Sequence, residues 1–184
     1  MPTIMTIGYE GASLSDFIAT LQTSAVEVVV DIRELAISRR KGFSKKALSS
    51  ALLEAGLRYL HLPELGDPKA GREAARAGHQ DEFRRIYSAH LECDAAQAGL
   101  VAVAEMLPSH AVCLLCYERE PLHCHRSLVA AALSDILPLR VRHLGVKNRL
   151  GRTDAVRTRE SAGAREGIAS RQPYRRDGVL RGGH

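Results

Sequence analysis

The sequence predicts an α/β protein, a three-layer Rossmann-like domain built on a mainly parallel sheet of about five strands. Three observations support this prediction. Short runs of Val, Ile and Leu alternate along the chain with segments of helical periodicity. The run from Val26 to Ile32 is almost continuously apolar, which is typical of a strand covered on both faces. Titratable side chains follow directly after several of these runs, as expected where strands end in functional loops.

The first strand is predicted at Thr3 to Ile7 and is followed by a Gly-Tyr-Glu-Gly turn. Ser13 and Asp16 then have the spacing of a capping box, which predicts a helix start. Apolar residues recur behind that cap at the spacing of one helical face: Leu14, Phe17, Ile18 and Leu21. The second strand, Val26 to Ile32, follows this helix.

Ser44 is expected to cap a second helix, for which Gly56 provides the C-terminal stop. Residues 57–62 are predicted to form the third strand. The segment from Asp67 to Gly78 is small and polar, so we expect a mobile loop with some helix. A long helical region is then predicted from about Asp81 to Leu107, with a possible break at 94–99.

The fourth strand is predicted at Ala111 to Cys116, and a fifth at Leu139 to Leu144. Between them, the inner face of a helix is marked by four apolar residues: Val129, Ala132, Leu133 and Ile136.

Charge and hydropathy predict one domain, residues 1–147, and a basic Arg/Gly-rich tail, residues 148–184, that is flexible or docks on a partner. The net charge of the 184 residues is +5. Residues 151–184 contain eight arginines and four acids, so most of this charge lies in the tail. No run approaches the roughly 20 apolar residues that a membrane span needs. We therefore expect a cytoplasmic protein without membrane association, with its four cysteines reduced.

Polar side chains are expected to gather at one edge of the sheet, because the carboxyl ends of parallel strands lie together there. These residues, in chain order, are Tyr9, Glu10, Asp31, Arg33, His61, Cys116 and Glu118. Cys124, His125 and Arg126 join them at the start of the next helix, where the backbone N–H groups and the helix dipole favour an anion. We predict a ligand site at this edge.

The two cysteines of this set are candidates for chemistry. Cys116 ends a strand and Cys124 begins a helix, so either could be a nucleophile, or the two could form a reversible disulfide. Cys113 and Cys116 spell Cys-x-x-Cys, but residues three apart in a strand point to opposite faces, so Cys113 is expected in the core. Asp31 or Glu118 would supply general acid/base catalysis.

An anion site is also predicted in the loop that contains Arg39, Arg40 and Lys41, because guanidinium groups in front of a helix that starts at Ser44 suit a phosphate. A solvated basic loop is the alternative. Asp31 and Arg33 could likewise simply pair with each other.

No cofactor and no metal are predicted. The glycine-rich fingerprints of dinucleotide and P-loop binding are absent from the sequence. Cys116, His123, Cys124 and His125 lie close together, but a single segment supplies them unless His61 joins. The adjacent Cys124 and His125 are also expected to point in different directions.

Five ordered motifs resemble the domain-of-unknown-function 488 family over about residues 3 to 145. They are Thr6-Ile-Gly-Tyr-Glu, Val30-Asp-Ile-Arg33, Gly42-Phe-Ser-Lys45, Tyr59-Leu-His-Leu-Pro-Glu-Leu-Gly66 and Cys116-Tyr-Glu with Cys124-His-Arg126. The resemblance implies a small cytoplasmic α/β protein and supplies no reaction.

Three functions are compatible with these observations. The first is an enzyme that acts on a phosphate-bearing nucleotide or nucleic acid, which Arg33, Arg40 and Arg126 would bind. The second is a thiol redox or sulfur-handling protein that uses Cys116 and Cys124. The third is a nucleic-acid-binding protein without catalysis, in which the arginine tail provides the affinity.

Overall fold

The computed structural model describes residues 1–151, which contain a five-stranded parallel sheet flanked by six α-helices. The strands are β1 (Thr3–Gly8), β2 (Val28–Asp31), β3 (Arg58–His61), β4 (Val112–Cys116) and β5 (Arg140–Leu144). Their order across the sheet is β3-β2-β4-β1-β5, and all neighbouring strands are parallel. The predicted α/β class and its parallel sheet are therefore confirmed.

Helices cover both faces of the sheet. They are α1 (Leu14–Thr23), α2 (Lys45–Glu54), α3 (Lys69–Arg76), α4 (Gln80–Leu91), α5 (Asp94–Met106) and α6 (His125–Ile136). One apolar core joins the sheet to α1 and α2, and a second joins it to α3, α4, α5 and α6. Strand β4 alternates between the two cores, since Cys113 and Leu115 belong to the first and Val112 and Leu114 to the second. Cys113 thus lies in the core, as predicted.

The helix starts follow the predicted signals in part. The Ser13 hydroxyl accepts a hydrogen bond from the Asp16 backbone N–H at 3.1 Å, as a capping residue does. Ser44 precedes α2 in an extended conformation, but its side chain makes no capping hydrogen bond. Gly56 follows α2 with φ +78°, a left-handed conformation that glycine adopts without strain.

The structure gives the bounds of two segments that the sequence left approximate. The helical region expected at 81–107 is two helices, and the break lies at Glu92 and Cys93, just before the expected 94–99. The extended backbone of Cys93, with ψ 149°, ends the helical path there. The segment expected as a mobile loop with some helix contains the eight-residue α3, which begins after Pro68, a position where a missing N–H costs nothing.

The chain after β5 packs on α1. The backbone N–H of Gly151 donates to Asp16 Oδ1 at 2.9 Å, and that of Lys147 donates to Thr20 Oγ1 at 3.1 Å. The remainder of the predicted tail, 152–184, lies outside the described residues. No helix in the part of the chain that the structure describes has both the length and the apolar character needed to cross a membrane.

Candidate functional site

The strand register brings the predicted polar residues to one edge of the sheet. Gly8 at the end of β1 pairs with Cys116 at the end of β4, and Asp31 at the end of β2 pairs with His61 at the end of β3. A cavity of about 690 Å³ lies at this edge. The predicted residues that line it are Tyr9, Arg33, Arg40, Cys116, Glu118, Cys124 and His125. The other predicted residues, Glu10, Asp31, Ser44, His61 and Arg126, are not part of its lining.

Two thiols and an imidazole form a buried cluster at this cavity. The Sγ atoms of Cys116 and Cys124 and the Nδ1 atom of His125 all lie within 4.8 Å of one another. Nδ1 is 3.7 Å from Cys116 Sγ and 3.9 Å from Cys124 Sγ. The other ring nitrogen of His125, Nε2, donates to the Ile32 carbonyl at 3.0 Å. This bond fixes the ring so that Nδ1 faces the sulfurs.

The three groups perturb one another. A hydrogen bond from Cys124, with help from backbone N–H groups and Arg126, outweighs burial and lowers the pKa of the Cys116 thiol. Burial and the neighbouring Cys116 raise the pKa of the Cys124 thiol well above its usual range. Burial lowers the pKa of His125, but Cys124 and the Ile32 carbonyl outweigh it, so the pKa is raised. Within the pair, Cys116 is therefore the thiol that ionises first.

The expectation that Cys124 and His125 point in different directions is wrong. Cys124 has the extended backbone of a helix N-cap, with φ −123° and ψ 141°, whereas His125 is the first residue of α6. The change of backbone conformation between them turns the two side chains toward the same point. A sequence argument that assumes one regular element across both residues cannot find this convergence.

Asp31 and Arg33 form a buried ion pair that is saturated with hydrogen bonds. Asp31 Oδ1 accepts from the Arg33 backbone N–H at 3.1 Å and from Arg33 Nε at 2.8 Å. Its Oδ2 accepts from Arg33 Nη2 at 2.5 Å and from the Tyr59 hydroxyl at 2.6 Å. Arg33 Nη1 donates to the Tyr9 hydroxyl and the Phe43 carbonyl, each at 2.9 Å. The pairing that the sequence left open as an alternative is what the structure contains.

This network holds the first and second loops of the edge together. The Tyr9 ring stacks on Phe43 with centroids 4.4 Å apart and contacts Tyr117 edge-on at 5.3 Å. The Arg33 guanidinium lies 5.1 Å from the Tyr9 ring centroid, where it gains a cation–π contact. Tyr9 is therefore a wall of the cavity that is held in place from two sides.

Arg126 is buried and holds the loop after β4. Its Nη1 donates to the Glu118 carbonyl and its Nη2 donates to the Arg119 carbonyl at 2.8 Å. Only 1% of the residue is exposed. The carboxylate of Glu10 accepts from the Arg119 backbone N–H at 3.1 Å, so it supports the same loop from outside. Both residues shape the loop that carries Glu118.

Two of the remaining predicted residues, His61 and Arg40, also have protein partners. His61 Nε2 donates to the Arg33 carbonyl at 2.8 Å, which couples the ends of β2 and β3. Arg40 Nη2 donates to the Ala12 carbonyl at 2.5 Å, and the residue still reaches the cavity. The Glu118 carboxyl lines the cavity, where burial and Glu10 raise its pKa.

The structure adds cavity residues that the sequence analysis missed. Asp67, Arg72 and Arg76 come from the segment that was expected to be a mobile loop with some helix. Arg72 and Arg76 lie four apart in α3, so they share one helix face, a spacing that a helix prediction there could have found. Arg72 pairs with Glu34 and also donates to the Asp67 carbonyl.

Asp67 is a buried acid at the cavity wall. It is 8% exposed, and its Oδ1 has no hydrogen-bond partner among the described residues. Burial raises the pKa of its carboxyl, although His125 and Arg72 oppose this effect. A Cβ atom at Gly71 would overlap Oδ1, so the missing side chain of that glycine makes room for the carboxyl group.

The cavity carries an excess of positive charge. Five arginines line it: Arg33, Arg39, Arg40, Arg72 and Arg76. Three carboxyl groups line it: Glu34, Asp67 and Glu118. Arg33 and Arg72 are paired with acids, whereas Arg39 and Arg76 are exposed and their guanidinium groups have no hydrogen bond or ion pair among residues 1–151. The two unpaired guanidinium groups are available for a ligand.

Comparison with known proteins places the chain in a family. The family model described as domain of unknown function DUF488 matches residues 13–133, about two thirds of the chain. The protein therefore belongs to the DUF488 family of α/β proteins. No curated protein and no solved structure matches the chain.

Proposed function

We propose that this protein is an enzyme that binds a phosphate-bearing substrate in the arginine-lined cavity and acts on it at the cluster of Cys116, Cys124 and His125. One observation carries the proposal: the same cavity has unpaired guanidinium groups on its wall and this reactive cluster in its lining. Guanidinium groups bind phosphate through paired, charge-assisted hydrogen bonds. The cavity would thus hold an anion next to side chains that can take part in a reaction.

The roles that we propose for the arginines differ from those expected from the sequence. Arg33 and Arg126 are buried, and Arg33 Nη1 and both Nη atoms of Arg126 donate to protein acceptors, so we assign them the positioning of Tyr9 and of the loop at Glu118. We assign the substrate anion to Arg39 and Arg76, which are exposed at the cavity.

Burial and hydrogen bonding also distinguish the carboxyl groups that could transfer a proton. Asp31 is fully buried and accepts four hydrogen bonds, so we assign it the orientation of Arg33. Glu118 reaches the cavity, and we assign proton transfer to it. Asp67 is a second carboxyl group on the cavity wall.

A binding measurement tests the anion site. Calorimetric titration measures the binding of three ligands: pyrophosphate, a nucleoside triphosphate and a short oligonucleotide. Each ligand is titrated into the wild-type full chain, into the Arg39→Ala variant and into the Arg76→Ala variant. Loss of charge-assisted hydrogen bonds worth about 1.5–3 kcal/mol should weaken binding by roughly tenfold or more in each variant.

Arg58→Ala is the matched control. Arg58 is an exposed arginine at the amino end of β3, opposite the edge that holds the cavity, so its loss should leave the affinity unchanged. Equal affinities in wild type and in both cavity variants would remove the anion site. Binding to the oligonucleotide alone, lost on deletion of 152–184, would favour the nucleic-acid-binding alternative.

The distance between the two sulfurs favours a second candidate, a dithiol that cycles with a disulfide. Cys116 and Cys124 Sγ lie within 4.8 Å of each other, and a disulfide would require them to approach to about 2.05 Å. Intact mass spectrometry after exposure to oxidised glutathione tests this activity: two hydrogens are lost if the disulfide forms. A Cys116→Ser variant that loses the same mass would refute the pairing.

A further inference from the structure

The cluster of Cys116, Cys124 and His125 has the donor set of a transition-metal site. Thiolate sulfur is a soft ligand and imidazole nitrogen is a borderline one, and Zn²⁺ binds both. Mg²⁺ and Ca²⁺ prefer oxygen ligands instead. All three side chains are at least nine-tenths buried, since 5% of Cys116, 2% of Cys124 and 6% of His125 are exposed. The three donors come from two elements, the end of β4 and the start of α6.

The distances fit a tetrahedral ion. With Zn–S near 2.3 Å and Zn–N near 2.0–2.1 Å, the edges of a tetrahedron are about 3.6 Å between S and N and about 3.8 Å between S and S. The observed separations of Nδ1 from the sulfurs are 3.7 and 3.9 Å. The two sulfurs lie within 4.8 Å of each other, against an edge of about 3.8 Å in the tetrahedron.

The surroundings orient the imidazole as a ligand. Nε2 of His125 donates to the Ile32 carbonyl at 3.0 Å, which leaves a lone pair on Nδ1 directed at the sulfurs. The His125 ring also packs on Tyr87, with centroids 5.2 Å apart, and the Tyr87 hydroxyl donates to the Leu65 carbonyl at 2.6 Å. A metal ligand whose second nitrogen is tied to a carbonyl is the usual arrangement in zinc proteins.

The charge of the occupied cluster and its position at the cavity also favour a zinc ion. Two thiolates and a neutral imidazole cancel the charge of a divalent ion, so the occupied cluster is neutral in its buried place. All three residues line the cavity, and the cluster holds three donors among the described residues, so a tetrahedral ion would take its fourth ligand, a water molecule or a substrate oxygen, from the cavity. Three protein ligands with one open position distinguish catalytic zinc sites from structural ones.

We propose that Cys116, Cys124 and His125 bind one Zn²⁺ ion whose fourth coordination position opens into the cavity. This site deepens the proposed function and shares its cavity, but its test uses Zn²⁺ without any substrate. Failure of zinc binding and failure of anion binding at Arg39 and Arg76 are thus separate results.

The experiment measures zinc directly. The full chain, reduced and freed of metal, is incubated with excess Zn²⁺, desalted and analysed by elemental mass spectrometry. We expect about one Zn²⁺ per chain, as in a three-ligand site. Cys116→Ser and Cys124→Ser should weaken the affinity by more than the roughly 10- to 100-fold cost of losing an outer-shell partner. Cys93→Ser, which removes an exposed thiol, is the matched control and should bind as the wild type does.

Two readouts on the wild type keep the test independent of variant folding. Co²⁺ in place of Zn²⁺ should give a thiolate-to-metal charge-transfer band in the near ultraviolet. Zn²⁺ should also protect Cys116 and Cys124 from alkylation and leave Cys93 reactive. Absence of retained zinc, absence of the band, or alkylation of the cluster at the same rate with and without Zn²⁺ would each overturn the proposal.

Discussion

Replacing Asp31 by Asn should destabilise the protein strongly, because it removes the counter-ion of a buried guanidinium. Asp31 is fully buried and Arg33 is 6% exposed, and three of the four hydrogen bonds to the carboxylate come from Arg33. Asparagine keeps the shape of the side chain. It has no charge, and its amide group places N–H donors opposite the N–H groups of Arg33 or the hydroxyl of Tyr59.

The expected loss in the free energy of unfolding is about 3–5 kcal/mol, the usual cost of breaking a buried pair by removing one partner. Glu73→Gln makes the same chemical change at an exposed pair, Lys69–Glu73, whose atoms are 3.8 Å apart. It should cost less than about 0.5 kcal/mol. Tyr59→Phe, which deletes one hydrogen bond to the same carboxylate, should fall between the two.

Urea unfolding followed by far-ultraviolet circular dichroism measures all three variants, since the chain has no tryptophan for fluorescence. The reasoning fails if Asp31→Asn and Glu73→Gln shift the unfolding midpoint equally. In that case the buried pair would contribute no more to stability than a surface pair does.

Three further predictions concern the residues that support the walls of the cavity. Gly8→Ala should lower the free energy of unfolding by about 2–4 kcal/mol, because its Cβ would lie 2.6 Å from the Glu118 carbonyl carbon and 2.9 Å from Arg126 Nη1. Gly145→Ala, which has open space around it, should change the free energy of unfolding by less than about 0.5 kcal/mol, and equal urea midpoints of the two variants would contradict the prediction. Arg126→Lys should cost about 1.5–3 kcal/mol without any ligand present, since one ammonium cannot replace the hydrogen bonds to two carbonyls; a stability equal to that of wild type would show that the loop does not need them. Iodoacetamide should label the exposed Cys93 first and Cys113 last, because burial raises the pKa of the Cys113 thiol and hides it; peptide mass spectrometry reads the order, and early labelling of Cys113 would contradict its burial.

The convergence of the predicted polar residues at one edge of the sheet was accessible from the sequence, because it depends on strand topology. Once the runs ending at Gly8, Asp31, His61 and Cys116 are strands of one parallel sheet, their last residues must share an edge. The apolar run at 26–32 was a sufficient signal for such a sheet, since a strand covered on both faces belongs to few other architectures.

The roles of individual side chains were not accessible in the same way. The position of Arg126 at a helix start predicts that it binds an anion. In the structure, the loop after β4 folds back, and Arg126 donates to the Glu118 and Arg119 carbonyls of that loop. The path of a loop backbone has no periodic signal in the sequence. The bounds of the short helix α3 were not predicted for a related reason: its residues are small and polar, and its buried residues are only Gly71 and Ala74.

The charge of the Cys116, Cys124 and His125 cluster should influence anion binding, because both proposed sites share one cavity. An empty cluster that ionises would place negative sulfur in the lining of the cavity and repel a phosphate, whereas a zinc ion bound by two thiolates is neutral and offers an open position to an anionic oxygen. Pyrophosphate should therefore bind more tightly to the zinc-loaded protein than to the metal-free protein. Calorimetric titration of both forms measures the difference, with Cys124→Ser as the control that zinc should no longer affect. Equal affinities of the two wild-type forms would show that the metal and the anion do not share the cavity, even if each binds.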